Sequence, residues 1–155
     1  MTLTDWPDLA AEASPIPRPA EEVQVYLPPL EVLARRWNEI EPMLRRSTER
    51  TCCYEPVDLL IMAGTGAVGM WLCMRGEAID AVTVTQITTY PRRRVLEVLF
   101  TAGGNLAAWR AALVGAIDKH ARDLGCSHVA SAGRPGWVRA WGARATGDII
   151  MVREL

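Results

Sequence analysis

The sequence predicts a mixed α/β fold of the α+β kind, in which a mainly antiparallel central sheet carries helices on both faces. Apolar residues recur with helical spacing on either side of the middle of the chain, and the middle itself holds three runs rich in β-branched residues. The length of 155 residues suits one domain. We therefore predict an extended arm over residues 1–29 and one folded domain over residues 30–155.

Prolines dominate the beginning of the chain. Six of the ten prolines lie in the first 29 residues, and no apolar periodicity there lasts for more than a turn. Proline fixes the backbone and removes a hydrogen-bond donor, so this composition predicts an extended arm. We expect the arm to contact a neighbouring molecule through the apolar side chains Trp6, Ile16 and Tyr26.

Helices are predicted directly after the arm. Five apolar residues recur at intervals of three and four and form one helical stripe: Leu30, Leu33, Trp37, Ile40 and Leu44. Pro42 is expected to break or restart this helix. A second helix is predicted over residues 56–63, because Pro56 would occupy its first turn and Gly64 would follow its end.

Three antiparallel strands are predicted next, over residues 68–74, 78–90 and 94–101. They are rich in Val, Ile, Thr and Leu, and they are separated by the short turn segments Arg-Gly-Glu and Tyr-Pro-Arg. A long helix follows up to a stop at Gly125, on the spacing of its apolar residues. The remaining elements are predicted to be a short buried strand over 127–132, a helix over 137–145 and a last strand over 148–153.

The charge balance argues against two classes of partner. The chain has 17 Lys and Arg against 18 Asp and Glu, so it has no positive excess to attract nucleic acid or anionic lipid. Its longest apolar run, over residues 59–74, contains three glycines and is shorter than the roughly 20 residues of a membrane span. The four cysteines lack metal-site spacing. We expect no nucleic acid, membrane or metal partner, no signal peptide, and reduced thiols.

The order of elements resembles the GNAT fold of acyl-CoA-dependent N-acyltransferases, in which two helices precede an antiparallel meander whose last strand leads into a long helix. The resemblance covers residues 30–155. The segments LFTAGGNLAAW, HARDLGCSHV and GRPGWVRAWGA are similar to GNAT-like proteins of tailed bacteriophages. This narrower resemblance implies a protein of the phage virion, made in the cytoplasm of the bacterial host.

The resemblance also implies a cofactor site in the turn before the long helix. Backbone amides there bind the CoA pyrophosphate in GNAT enzymes, and the free amides of a helix start suit an anion. The candidate residues are Thr101, Gly103, Gly104 and Asn105. The family pattern Q/R-x-x-G-x-G/A is incomplete, since Phe100 replaces its polar residue and the third small residue is missing. The alternative is an ordinary strand-to-helix turn with Asn105 as its N-cap.

The catalytic groups are less evident. Glu97 lies among apolar residues in the predicted strand 94–101 and is the candidate base. Alternatively, it lies on the exposed face or pairs with an arginine of residues 92–94. The resemblance implies an acidic tyrosine on the helix after the fifth strand, but the three tyrosines, Tyr26, Tyr54 and Tyr90, all lie elsewhere.

A surface rich in tryptophan and arginine is predicted near the end of the chain, and we call Arg134, Trp137 and Trp141 the Trp/Arg surface. Such residues are enriched in protein interfaces and also stack on bases. The alternative is that Trp137 and Trp141, four residues apart, anchor the last helix to the sheet.

Two functional hypotheses follow. The first is a GNAT-fold structural or accessory protein of a phage particle, without a cofactor, which contacts other virion proteins or copies of itself through residues 1–29 and the Trp/Arg surface. The alternative is an active N-acyltransferase that binds acetyl-CoA at the turn before the long helix. A regulatory binding module unrelated to the virion is a third possibility, since a fold does not fix a function.

Overall fold

The computed structural model describes residues 22–51, 53–148 and 151–155, so the predicted contact residues Trp6 and Ile16 lie outside the described part. Strands and helices follow one another in this order: β1 (Gln24–Tyr26), α1 (Leu30–Arg35), α2 (Trp37–Thr48), α3 (Pro56–Thr65), β2 (Gly69–Arg75), β3 (Ala78–Tyr90), β4 (Arg93–Gly103), α4 (Leu106–Asp123), β5 (His128–Ser131) and α5 (Gly136–Ala140).

The strands form one sheet in the order β1-β2-β3-β4-β5. Neighbouring strands from β1 to β4 are antiparallel, whereas β5 pairs with β4 in parallel. The long helix α4 connects β4 to β5 and supplies the crossover that a parallel pair requires. The predicted mixed, mainly antiparallel sheet is therefore confirmed.

Helices cover both faces of the sheet, as predicted. Helices α1, α2 and α3 bury Leu33, Ile40, Leu44 and Leu59 against one face, which includes Val82 and Val84 of β3. Helix α4 packs Trp109, Leu113 and Ile117 against the other face, which includes Leu96 and Val98 of β4. Strand residues alternate between two apolar layers because successive side chains of a strand point to opposite faces.

The predicted helix boundaries need two corrections. Pro42 lies inside α2, and the interruption falls at Arg36 instead, where ψ is 9°. Ile40 and Leu44, on either side of Pro42, are fully buried. Their packing keeps α2 helical although Pro42 has no backbone N–H group to donate. Helix α3 passes Gly64 and ends at Gly66, because Gly66 has the left-handed φ of 79° that closes a helix.

The end of the chain differs more from the prediction. Strand β5 forms where a short strand was predicted, but all four of its residues are exposed because it is the last strand of the sheet. Helix α5 covers only Gly136–Ala140 instead of residues 137–145. The predicted strand over 148–153 is absent from its described residues, since 148 and 151–153 make no strand pairing.

The predicted arm contains a strand that the sequence pattern did not indicate. Residues Gln24–Tyr26 form β1 and pair with β2, so that Tyr26 lies opposite Leu72. Tyr26 is 46% exposed and remains accessible for the predicted contact with a neighbouring molecule. The division into an arm over 1–29 and a domain over 30–155 stays a prediction.

Gly103 is required by the packing of β4 against β3. It lies opposite Ala81. A Cβ atom on Gly103 would overlap the carbonyl oxygen of Asp80 and lie 2.7 Å from the Cα atom of Ala81. Gly104, the next residue, has nothing within 4 Å of a Cβ position.

We predict that Gly103→Ala lowers the free energy of unfolding by about 1–3 kcal/mol, because the β3 backbone cannot move aside for the added methyl group. Gly104→Ala is the matched control and should leave the stability unchanged or raise it by up to about 1 kcal/mol. Denaturant unfolding of both variants measures the difference. Equal losses in the two variants would contradict this role of Gly103.

Candidate functional site

The α4 loop, defined as residues 103–105, begins with the last residue of β4, leads into α4 and is exposed. Asn105 has left-handed backbone angles, with φ 55° and ψ 48°, and its side chain makes no capping hydrogen bond. The indole N–H of the buried Trp109 donates to the Gly104 carbonyl oxygen at 2.6 Å and holds the loop from below. Asn105 therefore occupies the N-cap position that the alternative assigned to it, but its side chain does not bond a first-turn amide, because a left-handed Asn105 is not in the extended conformation of a side-chain cap.

Free backbone amides lie at the start of α4. The N–H group of Ala108 donates to the Asn105 carbonyl oxygen at 3.0 Å. In the part of the chain that the structure describes, nothing accepts a hydrogen bond from the N–H groups of Leu106 and Ala107. Both residues are exposed at the first turn of an 18-residue helix, where the positive end of the helix dipole lies. The start of α4, directly after the α4 loop, thus has two unpaired N–H donors.

The edge of β4 opens on the way to this loop. Pairing with β5 ends where Val98 lies opposite Ser131, whereas β4 continues to Gly103. The hydroxyl of Ser131 donates to the Val98 carbonyl oxygen at 3.2 Å and marks the last contact. Beyond it, residues 99–103 have no β5 partner over about 15 Å of strand. We call this stretch the free edge of β4.

A β-bulge lies at the beginning of the free edge. Thr85 of β3 pairs with Val98 and the preceding Val84 pairs with Phe100, so Leu99 has no partner in the β3 ladder. A bulge bends the strand and changes the direction of its side chains and amides, and bulges are frequent beside active sites. The bulge and the α4 loop therefore lie at the two ends of the free edge of β4.

Thr101 does not belong to the exposed loop. Its side-chain oxygen accepts a hydrogen bond from the Thr83 hydroxyl at 3.2 Å, and its carbonyl oxygen lies 3.5 Å from the Ser47 hydroxyl. The predicted cofactor residues are thus divided between two places. Gly103, Gly104 and Asn105 form the loop, while the side chain of Thr101 is held inside β4.

Glu97 pairs with Tyr90, and not with an arginine of residues 92–94 as one of the alternatives predicted. The Tyr90 hydroxyl at the end of β3 donates to the Glu97 carboxylate at 2.9 Å. Glu97 is half-buried on the face of β4 opposite Leu96 and Val98. It lies six residues before Gly103, which is about 20 Å along the strand.

The acid that the resemblance placed on the helix after β5 is absent from α5. Tyr54 packs edge-on against Phe100, with ring centroids 5.6 Å apart, and both belong to the core beside α2 and α3. Tyr90 is the tyrosine that the fold places within hydrogen-bonding distance of the candidate base, Glu97. Sequence reasoning missed this pair because it depends on the pairing of β3 with β4, although the two residues flank one tight turn.

The Trp/Arg surface lies on and before α5. Trp137 and Trp141 are half-buried, with ring centroids 6.4 Å apart, and both pack against the α4 side of the core. This packing agrees with their predicted role as anchors of the helix. Arg134 is exposed, and α5 contains no fully buried residue. Only part of each ring is covered, so the surface remains accessible.

Other chemistry is restricted by the surroundings of the candidate groups. Burial raises the pKa of the Cys73 thiol to about 12, which excludes it as a thiolate nucleophile at neutral pH. Among the described residues, no cluster of three or more His, Cys, Asp or Glu side chains is placed to hold a metal ion. No helix within the described ranges is long and apolar enough to cross a bilayer.

Two clefts lie away from the α4 loop. One, of about 370 Å³, is lined by residues of α2 and α3, among them Trp37, Arg45 and Val57. The Arg45 guanidinium is paired with Glu41. The other, of about 350 Å³, lies beside β1 and the end of β2. Neither cleft is lined by a residue predicted for catalysis or cofactor binding, and the second is lined by Tyr26, which was predicted to contact a neighbouring molecule.

The strand order, the bulged β4 and the long helix α4 together define a GNAT-like fold. Of the solved structures similar to this chain, a point mutant of TTHA1254 from Thermus thermophilus is 21% identical, with a TM-score of 0.61, and the match covers 85% of this chain and 97% of that one. An aminoglycoside acetyltransferase from an uncultured soil metagenomic sample has a TM-score of 0.67 at 7% identity, covering 86% and 95%.

A ribosomal-protein-alanine N-acetyltransferase from Brucella melitensis biovar Abortus 2308 has a TM-score of 0.60 at 14% identity, covering 86% of this chain and 99% of the other. Identities this low establish the fold and not the activity. No protein-family model and no curated protein matches the chain.

The Tyr90–Glu97 pair predicts a pH dependence. The hydrogen bond to Glu97 and the negative charge of that carboxylate raise the pKa of Tyr90 above its ordinary value. A raised pKa means that the folded state favours the neutral phenol. The pair therefore stabilises the fold below the ordinary tyrosine pKa of about 10, and this contribution is lost as the pH rises through the raised pKa.

We predict that Glu97→Gln moves the Tyr90 titration to lower pH, because the variant removes the charge that opposes ionisation. Phenolate absorbance, with Tyr90→Phe to identify the transition, measures the shift. Glu77→Gln is the control, since Glu77 has a fully exposed side chain and is not a cause of the raised Tyr90 pKa. An unchanged Tyr90 midpoint in Glu97→Gln would contradict the pairing.

Proposed function

We propose that the protein binds a CoA thioester at the α4 loop and acts as an N-acyltransferase with acetyl-CoA as its cofactor. The observation that supports this proposal best is the pair of unpartnered N–H groups on Leu106 and Ala107 at the exposed start of α4, within the described part of the chain. Free amides at the positive end of a helix dipole form a site for a pyrophosphate without a basic side chain.

The free edge of β4 suits the rest of such a cofactor. Strand residues beyond Val98 have backbone groups without a β5 partner, and these can pair with the amides of an extended pantetheine arm. The arm would run from the loop towards the bulge at Leu99 and bring the thioester near Glu97. The names of two structurally similar proteins, both acetyltransferases, support acetyl-CoA as the acyl donor.

Glu97 is the proposed base of this reaction. Its carboxylate would accept the proton that the attacking amine loses as the new amide bond forms. The Tyr90 hydroxyl, bonded to Glu97, orients the carboxylate in the free protein. No tyrosine is available on α5 for the departing thiolate, so we expect that thiolate to take its proton from water and the reaction to be slower than one with a dedicated acid.

The proposal is tested at Gly104, which has open space around it and no positive φ. We expect wild-type protein to bind CoA in isothermal titration calorimetry. Gly104→Asp should weaken that binding at least tenfold, because it places a carboxylate beside the pyrophosphate. Gly104→Asn is the matched control, since it has the same shape without the charge, and it should bind CoA nearly as well as wild type.

Two results would contradict the proposal. The first is the absence of heat and of a thermal shift with wild-type protein at millimolar CoA. The second is equal binding by the Asp and Asn variants, which would place the cofactor elsewhere. Release of free thiol from acetyl-CoA in the presence of amines then tests the transfer step separately, and Glu97→Gln should abolish it without loss of CoA binding.

The second candidate function is an accessory role in a tailed-phage particle, in which the protein contacts virion proteins or copies of itself. We base it on the resemblance of three sequence segments to phage GNAT-like proteins stated under Sequence analysis, together with the exposed Arg134 and the half-exposed Trp137 and Trp141 on and after α5. Under this proposal, residues 1–29 and the Trp/Arg surface carry the contacts, and the protein is made in the host cytoplasm.

We predict that deletion of residues 2–21 prevents incorporation into particles and leaves the folded domain intact. The deletion stops before β1, because the loss of Gln24–Tyr26 would expose the edge of β2. Mass spectrometry of purified particles measures incorporation, and circular dichroism of the deleted protein is the control for folding. Unchanged incorporation of the deleted protein would contradict the role of the arm.

A further inference from the structure

The Trp/Arg surface lies in a basic region of the chain. Residues 124–147 contain no Asp or Glu and three exposed arginines: Arg134, Arg139 and Arg144. Within the described part of the chain, none of these three side chains forms an ion pair. A fourth guanidinium reaches the region from α4, because Arg110 donates to the Ala140 carbonyl oxygen at 3.2 Å. Arginines beside partly exposed tryptophan rings are typical of a contact surface, and their charge favours an acidic partner.

The arm has the opposite charge. Residues 1–21 contain four acidic residues and one arginine, Arg18. Three of the four acidic residues lie within residues 5–12, which we call the acidic segment: Asp5, Asp8 and Glu12. The same segment contains Trp6, and the whole segment precedes Glu22, the first residue that the structure describes. Carboxylates with a tryptophan complement arginines with tryptophans both in charge and in aromatic character.

The strand directions bring the arm to the end of the sheet at which α5 follows. Gln24, the first residue of β1, lies opposite Met74 near the end of β2, and β2 leads into the start of β3. The start of β3 pairs with the end of β4, where Ala81 lies opposite Gly103. Because β5 runs parallel to β4, it ends in the same direction, and the chain continues from there into α5. The arm therefore enters the domain at the end of the sheet that leads into the Trp/Arg surface.

The arm also enters on the same face of the sheet. Val23 and Val25 pack against the apolar layer between the sheet and α4, and Trp137 and Trp141 pack against that layer too. Four strand spacings separate β1 from β5, which is about 19 Å. The nine residues between the acidic segment and Glu22 span about 30 Å when they are extended. The acidic segment can therefore reach the Trp/Arg surface of its own molecule.

We propose that the acidic segment docks on the Trp/Arg surface of its own molecule. Its carboxylates pair with the exposed guanidinium groups around α5, and Trp6 covers the accessible parts of the Trp137 and Trp141 rings. Because the segment is tethered, its effective concentration at this surface is on the order of millimolar, which favours it over a second copy in a micromolar solution. This contact needs neither CoA nor a virion protein. It goes beyond both proposed functions, because it makes the arm and the surface each other's partner in the free protein.

The test is hydrogen exchange of the full chain at low ionic strength, measured by mass spectrometry on the backbone amides of the acidic segment. The surface variant combines Arg139→Glu with Arg144→Glu. We expect its segment amides to exchange about tenfold faster than those of wild type, because the reversed charges repel the segment. The matched control combines Arg46→Glu with Arg50→Glu, two exposed positions on and after α2, which covers the opposite face of the sheet. It should exchange like wild type.

An arm variant tests the same contact without changing a described residue. Asp5→Lys combined with Asp8→Lys should remove the protection of the segment, relative to the intrinsic exchange rate of its own sequence. The charge-swapped protein carries the arm variant and the surface variant together. It should regain the protection, because lysines of the arm then face glutamates of the surface.

Three outcomes would overturn the inference. The first is equal exchange of the segment amides in wild type and in the surface variant. The second is a charge-swapped protein whose segment exchanges as fast as in either variant alone. The third is protection that increases with protein concentration, which would mean that the arm contacts a second copy and not its own molecule.

Discussion

The pairing of β3 with β4 is the constraint on which the rest of this structure depends. The ladder runs from Ala81 opposite Gly103 to Tyr90 opposite Arg93, and both of its faces are covered by helices. Because strand side chains alternate with a period of two, a shift of one residue would exchange the two apolar layers and bring polar residues into both cores. The register is therefore fixed by burial on both sides.

Two features of the candidate site follow from this register. It sets Tyr90 beside Glu97 across the tight turn, and it places the extra residue of β4 at Leu99, where the strand bends away from β5. It also requires glycine at position 103, since the β3 backbone occupies the space of a side chain there. The packing of Gly103 against β3 therefore determines where the α4 loop begins. The end of β4 in turn determines the position of the free amides at the start of α4.

The sequence predicted what local pattern determines. The bounds of β3, the start of α4 and its stop at Gly125 agree with the structure, because long runs of period two and period 3.6 are strong signals. The three-residue strand β1 has no such signal and forms only because β2 offers an edge. Pro42 was misjudged because the burial of Ile40 and Leu44 carries α2 through it, whereas the strand predicted over 148–153 has no pairing partner at its described residues. The α4 loop could be located from sequence, whereas the Tyr90 partner of Glu97, seven residues away across the turn, depends on the register of β3 with β4.

The family pattern has a polar residue that this chain lacks. This difference is weaker evidence against cofactor binding than the sequence alone indicates. An anion at the start of α4 would be bound by N–H groups, and these belong to the backbone whatever the side chains are. Phe100, in the place of the polar residue, is buried and packs edge-on against Tyr54 in the core. Trp109 fixes the loop from the helix side through the Gly104 carbonyl. Acyl transfer, by contrast, needs particular side chains to move protons, so binding and chemistry can be lost independently on this fold. Under the proposed function, the missing acid would slow acyl transfer without weakening CoA binding, and the rate of transfer would depend on Glu97.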